Sequence, residues 1–184
     1  MKITPTAIPD VLVIEPQVFG DARGFFFESF NAREFKRLTG IDPPIMQDNH
    51  SRSVKNVLRG LHYQIVQPQG KLARVVAGEI FDVAVDIRRA SPSYGRYISA
   101  VLSAENWHQL WVPVGFAHGF CTIEPDTEVV YKTTNYYDRN SERVVKWNDP
   151  DLAIPWPVAE AEVQLSEKDQ AAQGWADMPV WFRA

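Results

Sequence analysis

Cysteine is almost missing from this chain. Cys121 stands alone among 184 residues, so no internal disulfide can form and a reducing compartment, the cytoplasm by default, is expected. No apolar run approaches the roughly 20 residues that a membrane-crossing helix needs. The opening "MKITPTAIPDVLVIEP" interrupts its apolar residues with prolines and an acid, so neither a signal peptide nor a membrane anchor is expected. Excess positive charge is lacking too: 19 Lys+Arg against 23 Asp+Glu give a net charge of -4, which argues against nucleic acid as a partner. A local basic cluster for a phosphorylated small molecule remains compatible with that balance. Neither G-x-x-x-x-G-K-[ST] nor G-x-G-x-x-G occurs, which excludes a P-loop or a dinucleotide cradle. The four histidines, His50, His62, His108 and His118, contain no His-x-His, the spacing that puts two metal ligands on one face of a strand. Convergence of His50, His62 and His118 by folding is left open, with no spacing in its favour.

What is present is a series of short runs rich in Val, Ile, Phe and Tyr, separated by Gly, Pro, Asn, Asp and Ser. That rhythm predicts an all-β sandwich or barrel, with residues 1–184 as one domain. The runs are 11–14, 25–30, 57–63, 71–77, 80–87, 97–102, 109–112, 117–123, 128–134 and 144–147. The clearest, "EIFDVAVDIR", alternates Phe81, Val83, Val85 and Ile87 against Asp82, Ala84, Asp86 and Arg88; a turn at Ala77-Gly78 predicts a hairpin with the run before it. A short helix is expected over 31–39, stopped by Gly40, and another from the N-cap Ser166. The proline-rich stretch 149–158 reads as an ordered loop.

The run "VLRGLHYQ" poses a geometric problem. In strict alternation Leu58, Gly60, His62 and Gln64 share one face while Arg59, Leu61 and Tyr63 share the other, so Arg59 and His62 point apart. A bulge at Gly60 would bring both heads into one cleft; otherwise they form a satisfied polar pair near a strand end. Arg23, Lys71 and Arg74 extend the cationic set, and Arg23, Arg59 and Lys71 each adjoin a glycine, where backbone can approach a ligand closely. Arginine's planar fork suits Arg23 and Arg59 to a diphosphate, against the alternative of surface charges partnered by Asp21, Glu28 and Asp82. "QDNHS", residues 47–51, reads as a polar turn or as a hydrogen-bonding edge for a pyrimidine. His118 lies in the glycine-punctuated "PVGFAHGF", His108 in a turn, and Tyr131 on a stripe more typical of sheet packing than of catalysis.

Taken together, "FGDARGFFFESF", "QDNHS", "VLRGLHYQ", "PQGKLARVVAGEIFDVAVDIR", "SPSYG", "LSAEN", "PVGFAHGF", "VVYKTTNYYD" and "LSEKD" resemble, in order over about residues 10–170, the dTDP-4-dehydrorhamnose 3,5-epimerases. The resemblance implies a cupin-type jelly roll with short peripheral helices, a homodimer, no metal or other cofactor, and a nucleotide sugar, dTDP-4-dehydro-6-deoxy-D-glucose, as substrate. It implies His62 as base with Asp169 behind it, Tyr131 as acid, and Lys71 and Arg59 as candidates for the enolate oxygen or the diphosphate. A phenol is a weak acid near neutrality, so Tyr131 would need cations such as Lys71 nearby, or a strongly basic enolate. Carried over as substrate contacts are Arg23, Glu28, Gln47, Asp48, Asn49, His118, Glu142 and Lys168. The chain departs from the pattern at "QAAQGW", where a proline-containing tail is expected, and at Val114, where many relatives carry a charge. Alternatives are an epimerase acting at C3 or C5 alone, a metal-dependent cupin oxygenase, and a sugar-nucleotide binder without turnover.

Overall fold

In a computed structural model, which describes residues 1–179, two antiparallel sheets face one another. The six-stranded sheet runs β1 (Lys2–Pro5), β2 (Leu12–Glu15), β10 (Gln109–Val112), β7 (Lys71–Ala77), β12 (Thr127–Thr133), β5 (Gln47–Ser53). The five-stranded sheet runs β13 (Glu142–Val144), β6 (Leu58–Gln64), β11 (Phe116–Thr122), β8 (Glu79–Asp86), β9 (Tyr97–Ser103). A separate hairpin, β3 (Phe19–Asp21) with β4 (Gly24–Phe26), stands apart from both. This is the jelly roll that the family resemblance implies.

Alternation explains the interior. Ala73, Val75, Leu110, Val112 and Val129 from the first sheet meet Ile80, Ala84, Leu102, Phe116 and Phe120 from the second. The outer face of the second sheet is covered as well: Leu61, Tyr63, Val83, Val85 and Ala117 pack beneath Val145, Leu152 and Met178. Strand β8 is therefore buried on both faces, and Asp82 and Asp86 are fully buried instead of facing solvent. Cys121 is buried with Leu58 and Trp147.

The expected hairpin across Ala77-Gly78 does not form. β7 pairs with β10 and β12, whereas β8 pairs with β11 and β9, so the turn carries the chain from one sheet to the other. Gly78 makes this possible with φ 74° beside Thr127, where a Cβ would lie 2.4 Å from Oγ1. Facing each other across the core, both strands bury an apolar face. "QDNHS" is no turn either: it opens β5, paired along its length with β12 from Gln47↔Thr133 to Ser53↔Thr127. The run at 25–30 is a strand only to Phe26, and Phe30 instead packs on Phe35 of helix α1 (Ala32–Thr39).

The helices end where their capping residues dictate. Asn31 Oδ1 accepts from the Glu34 N–H at 3.3 Å, and Gly40 closes α1 with φ 73°. Ser166 Oγ accepts from the Asp169 N–H at 3.2 Å and donates to Asp169 Oδ2 at 2.7 Å at the start of α2 (Glu167–Gln170). That cap fixes the position of Asp169. Among the described residues no helix is long and apolar enough to cross a membrane.

Candidate active site

A cavity of about 350 Å³ opens between the sheets, within the usual size range of small-molecule sites. β5, β7 and β12 form one wall; β6, β11 and β13 form the other, with α2 at the rim.

The β6–β11 register resolves the question raised by "VLRGLHYQ". His62 faces His118 and Arg59 faces Phe120, so three steps on β6 match two on β11. One extra residue is accommodated around Gly60, and Arg59 and His62 both line the cavity. Only glycine fits there: at φ 133° an added Cβ would lie 2.5 Å from Gly119 Cα and 2.9 Å from His118 O.

His62 Nε2 lies 2.5 Å from Asp169 Oδ1. Burial would raise the Asp169 carboxyl, but hydrogen bonds from His62 and Ser166 and the charges of His62 and Lys168 outweigh it and hold the carboxyl low. Burial also dominates at His62, pulling its pKa below the usual imidazole value despite the carboxylate. An ionised Asp169 accepts only, so the proton sits on Nε2 and the lone pair on Nδ1. The imidazole is thus neutral and basic near pH 7.

Lys71 lies in the opposite wall. Burial pushes its ammonium down to about 8, against the charges of Glu142 and Asp82, which hold it up. Tyr131 comes from the same sheet, and burial raises its phenol above the usual value, outweighing the opposing charge of Arg59. Arg59 Nε and Nη2 donate to Ser53 Oγ at 3.2 and 3.0 Å. Gln47 Nε2 donates to Asn49 Oδ1 at 2.7 Å, while Lys168 Nζ and Tyr137 Oη both reach Glu142 Oε2, at 2.8 and 3.0 Å. His118 Nε2 stands 2.6 Å from Asp82 Oδ1.

Of the residues expected from the sequence, His62, Lys71, Tyr131, Gln47, Asn49, Arg59, His118, Glu142 and Lys168 line the cavity, and Asp169 lies behind His62. Three do not. Asp48 alternates to the outer face of β5 and pairs with Lys132 at 2.9 Å, since neighbours of Gln47 and Asn49 must point the other way. Arg23 sits in the β3–β4 hairpin with its side chain 91% exposed and bound to Asp21, and Glu28 accepts from Asn31 beyond the same hairpin. Arg74 alternates away from Lys71 and lies over Phe27. His50 is on the outer face against Glu128 at 2.9 Å, away from His62 and His118. Among the described residues no three of His, Cys, Asp and Glu cluster as metal ligands. The "QAAQGW" departure leaves Asp169 in place, because Gln173 bridges to Val145 and its carbonyl accepts from the Lys146 N–H at 2.8 Å.

Sequence reading assigned no site role to Ser51, Tyr63, Gln64, Gln69, Phe120 and Tyr137 in the lining, nor to Asp82 beneath it. Asp82 did carry a signal: an acid between Ile80 and Ala84 on a core-facing row demands a buried partner.

Comparison with known proteins shows the family to which the chain belongs. The family model described as dTDP-4-dehydrorhamnose 3,5-epimerase matches residues 5–177. The dTDP-4-dehydrorhamnose 3,5-epimerase of Pseudomonas aeruginosa is 55% identical over 177 residues, covering 96% of this chain and 97% of its own. The crystal structure of dTDP-6-deoxy-D-glucose-3,5-epimerase from Legionella pneumophila, in complex with dTDP-4-keto-L-rhamnose, superposes with a TM-score of 0.96 at 49% identity, covering 100% of this chain and 98% of that one. A 3'-monoepimerase from Streptomyces bikiniensis, in complex with dTDP-quinovose, gives 0.87 at 33% identity, covering 94% and 87%. With nearly its whole length matched and its histidine–aspartate pair, lysine and tyrosine gathered in one cavity, the chain belongs to the dTDP-4-dehydrorhamnose 3,5-epimerase family, a family of isomerases.

Proposed function

We infer that this chain inverts C3 and C5 of dTDP-4-dehydro-6-deoxy-D-glucose, giving dTDP-4-dehydro-L-rhamnose for dTDP-L-rhamnose biosynthesis. The observation that carries the reading is the placing of a neutral imidazole, His62, and a protonated phenol, Tyr131, on opposite sheets across one cavity. A ketone at C4 acidifies the hydrogens at C3 and C5, and both enolates share the C4 oxygen. Nδ1 of His62 takes each proton, and Asp169 stabilises the imidazolium that results. Lys71 and Arg59 supply positive charge for the enolate oxygen and the diphosphate. Tyr131 gives a proton from the other face, and that transfer inverts the centre; His62 then releases its proton to solvent and the tyrosinate takes one back before the second centre reacts. No step requires a metal or other cofactor.

The nucleotide sugar's remaining contacts are assigned to Gln47, Asn49, His118, Glu142 and Lys168. Arg23 and Glu28 lie outside their own chain's cavity, so they are assigned to the cavity of a second copy in a homodimer. The hairpin supports this: Phe19, Phe25 and Phe26 are 57%, 61% and 69% exposed on a single chain. Residues 1–184 act as one domain, and the cytoplasm is the compartment proposed, in keeping with a lone, buried cysteine.

The test is proton NMR of the ketosugar nucleotide in deuterated water with a chelator present. Deuterium entering at C3 and C5 with inversion at both is the expected result. Inversion at one centre would favour the single-centre reading, for which the 3'-monoepimerase likeness speaks. Absence of exchange, or activity restored only by added metal, would overturn the proposal.

A further inference from the structure

Residues 134–141 carry the chain from β12 in the first sheet to β13 in the second, beside the cavity that Tyr137 and Glu142 line. Three glutamines of the same lining turn their amides to the backbone of this crossing. Gln64, from β6 and 4% exposed, accepts from the Asp138 N–H on Oε1 at 2.9 Å; its Nε2 donates to the carbonyls of Tyr136 at 3.0 Å and Gln67 at 2.5 Å. Gln47, from β5 in the opposite sheet, accepts from the Tyr137 N–H on Oε1 at 3.0 Å, and Gln69 Nε2 donates to the Asn135 carbonyl at 2.8 Å. Tyr137 is thereby held from both walls, and its hydroxyl donates to Glu142 Oε2 at 3.0 Å.

From this arrangement we propose that Gln64 is a positioning residue of the epimerase site: it clamps the 134–138 backbone so that Tyr137 covers the bound nucleotide sugar. This rests on the epimerase reading above. A crossing that only joined two sheets could be anchored by apolar packing, whereas three buried or half-buried amides aimed at main-chain groups fix its height and rotation. Gln64 does the larger share, because its amide meets the Tyr136 carbonyl and the Asp138 N–H, one on either side of Tyr137. The Tyr137 ring lines the cavity and is still 52% exposed, so its face is open to a ligand.

Removing the Gln64 amide takes a partner from the Asp138 N–H and from two carbonyls, and groups so stranded draw in water or move. The crossing then loosens on the β6 side, while Gln47 alone holds the Tyr137 N–H. Proton transfer belongs to His62 and Tyr131 in the epimerase reading. The loss therefore falls on binding, which is read in KM, and leaves kcat little changed.

The experiment compares wild type, Gln64→Leu, Tyr137→Ala and the double variant. Amide hydrogen exchange across residues 134–138, followed by mass spectrometry without substrate, should quicken roughly 10-fold in Gln64→Leu. KM for the ketosugar nucleotide should rise roughly 10-fold in each single variant with kcat changed less than about 3-fold, and the double variant should be no worse than Tyr137→Ala alone. A residue that merely stabilised the fold would leave KM where it was, or would multiply its effect with that of Tyr137→Ala; either result overturns the proposal, as does unchanged exchange. A wild type without turnover would count against the epimerase reading, and the exchange rates would still judge the clamp. If Gln64→Leu does not fold, Gln64→Glu replaces it, keeping the acceptor for the Asp138 N–H and losing both donations. Failure of both variants with Tyr137→Ala folded would make Gln64 structural and also overturn the idea.

Discussion

His118 lies directly opposite His62 across the β11–β6 pair, and each imidazole turns its Nε2 to a different carboxylate, Asp82 for one and Asp169 for the other. Two similar pairs therefore face one cavity from neighbouring strands. They differ in surroundings: His62 keeps 21% side-chain exposure, whereas His118 keeps 6% over a carboxylate that is fully buried. The more open pair suits a base that must meet a substrate proton.

A bell-shaped pH profile follows from two of these groups. His62 works when neutral, and burial lowers its pKa, so activity should rise with pH through a midpoint below the ordinary 6.5. Lys71 works when charged, so activity should fall again through about 8. The pH dependence of kcat/KM checks both limbs. An acid limb above 6.5 would contradict the burial of His62, and a profile flat to pH 10 would remove Lys71 from the chemistry.

Gly60 places both Arg59 and His62, so replacing it should damage stability and catalysis together. Gly60→Ala must fit a Cβ against Gly119 Cα at 2.5 Å and hold φ 133°. A cost of at least about 2 kcal/mol is expected, a drop of roughly 4–8 °C in Tm for a chain of this size. Activity per folded molecule should fall as well, because relief of the clash shifts His62 from Asp169. Thermal melts and steady-state rates on the same sample provide the check; wild-type values for both would sink the account.

How far the sequence revealed this site depends on which contacts are local. The period-2 pattern of 80–87 and the caps Asn31, Gly40 and Ser166 are local, and the structure has them where the residues place them. The conflict at Gly60 was visible too, but its resolution is a register shift against β11, some sixty residues away. β5 was hidden because its inward row, Gln47, Asn49 and Ser51, lines a polar cavity; the apolar alternation that marks a strand is missing. β7 and β8 looked like a hairpin because a glycine turn is local, whereas the choice of sheet is made by the core that both strands face. The placing of Arg23, Glu28 and Asp48 was beyond reach for a related reason. A motif shows that residues occur together in sequence, not which cavity or face they serve.

The exposed hairpin predicts complementation between two inactive variants. His62→Ala lacks the base and Arg23→Ala lacks a cation assigned to the partner's cavity. In a mixed dimer, one cavity keeps its own His62 and receives Arg23 from the other chain, so mixing should restore activity that neither variant shows alone. Light scattering should find a dimer at micromolar concentration, shifted toward monomer by Phe26→Ser, whose ring is 69% exposed on a single chain. A monomeric wild type, or mixtures no more active than their parts, would rule out the shared site.

Tyr131 and His62 should separate in an exchange experiment, since one gives a proton and the other takes it. His62→Ala should abolish both inversion and solvent exchange at C3 and C5. Tyr131→Phe keeps the base, so the enolate still forms and His62 can return deuterium to the face it came from, giving exchange with retained configuration. Inversion should slow by roughly 10²- to 10⁴-fold, the usual cost of losing a positioned acid. Of the two routes the sequence left open, nearby cations lowering the phenol's pKa or a strongly basic enolate, the first is not favoured: burial raises the pKa and outweighs Arg59, the cation that lowers it. Tyr131 therefore stays protonated through neutral pH, and the basicity of the enolate must draw the proton across. It follows that the inversion rate in wild type should not depend on a Tyr131 ionisation anywhere below about pH 10. Proton NMR of the sugar in deuterated water, run on both variants, decides the matter. Equal loss of exchange in the two would show that Tyr131 is needed for deprotonation or binding, and the assignment of one face to each residue would fail.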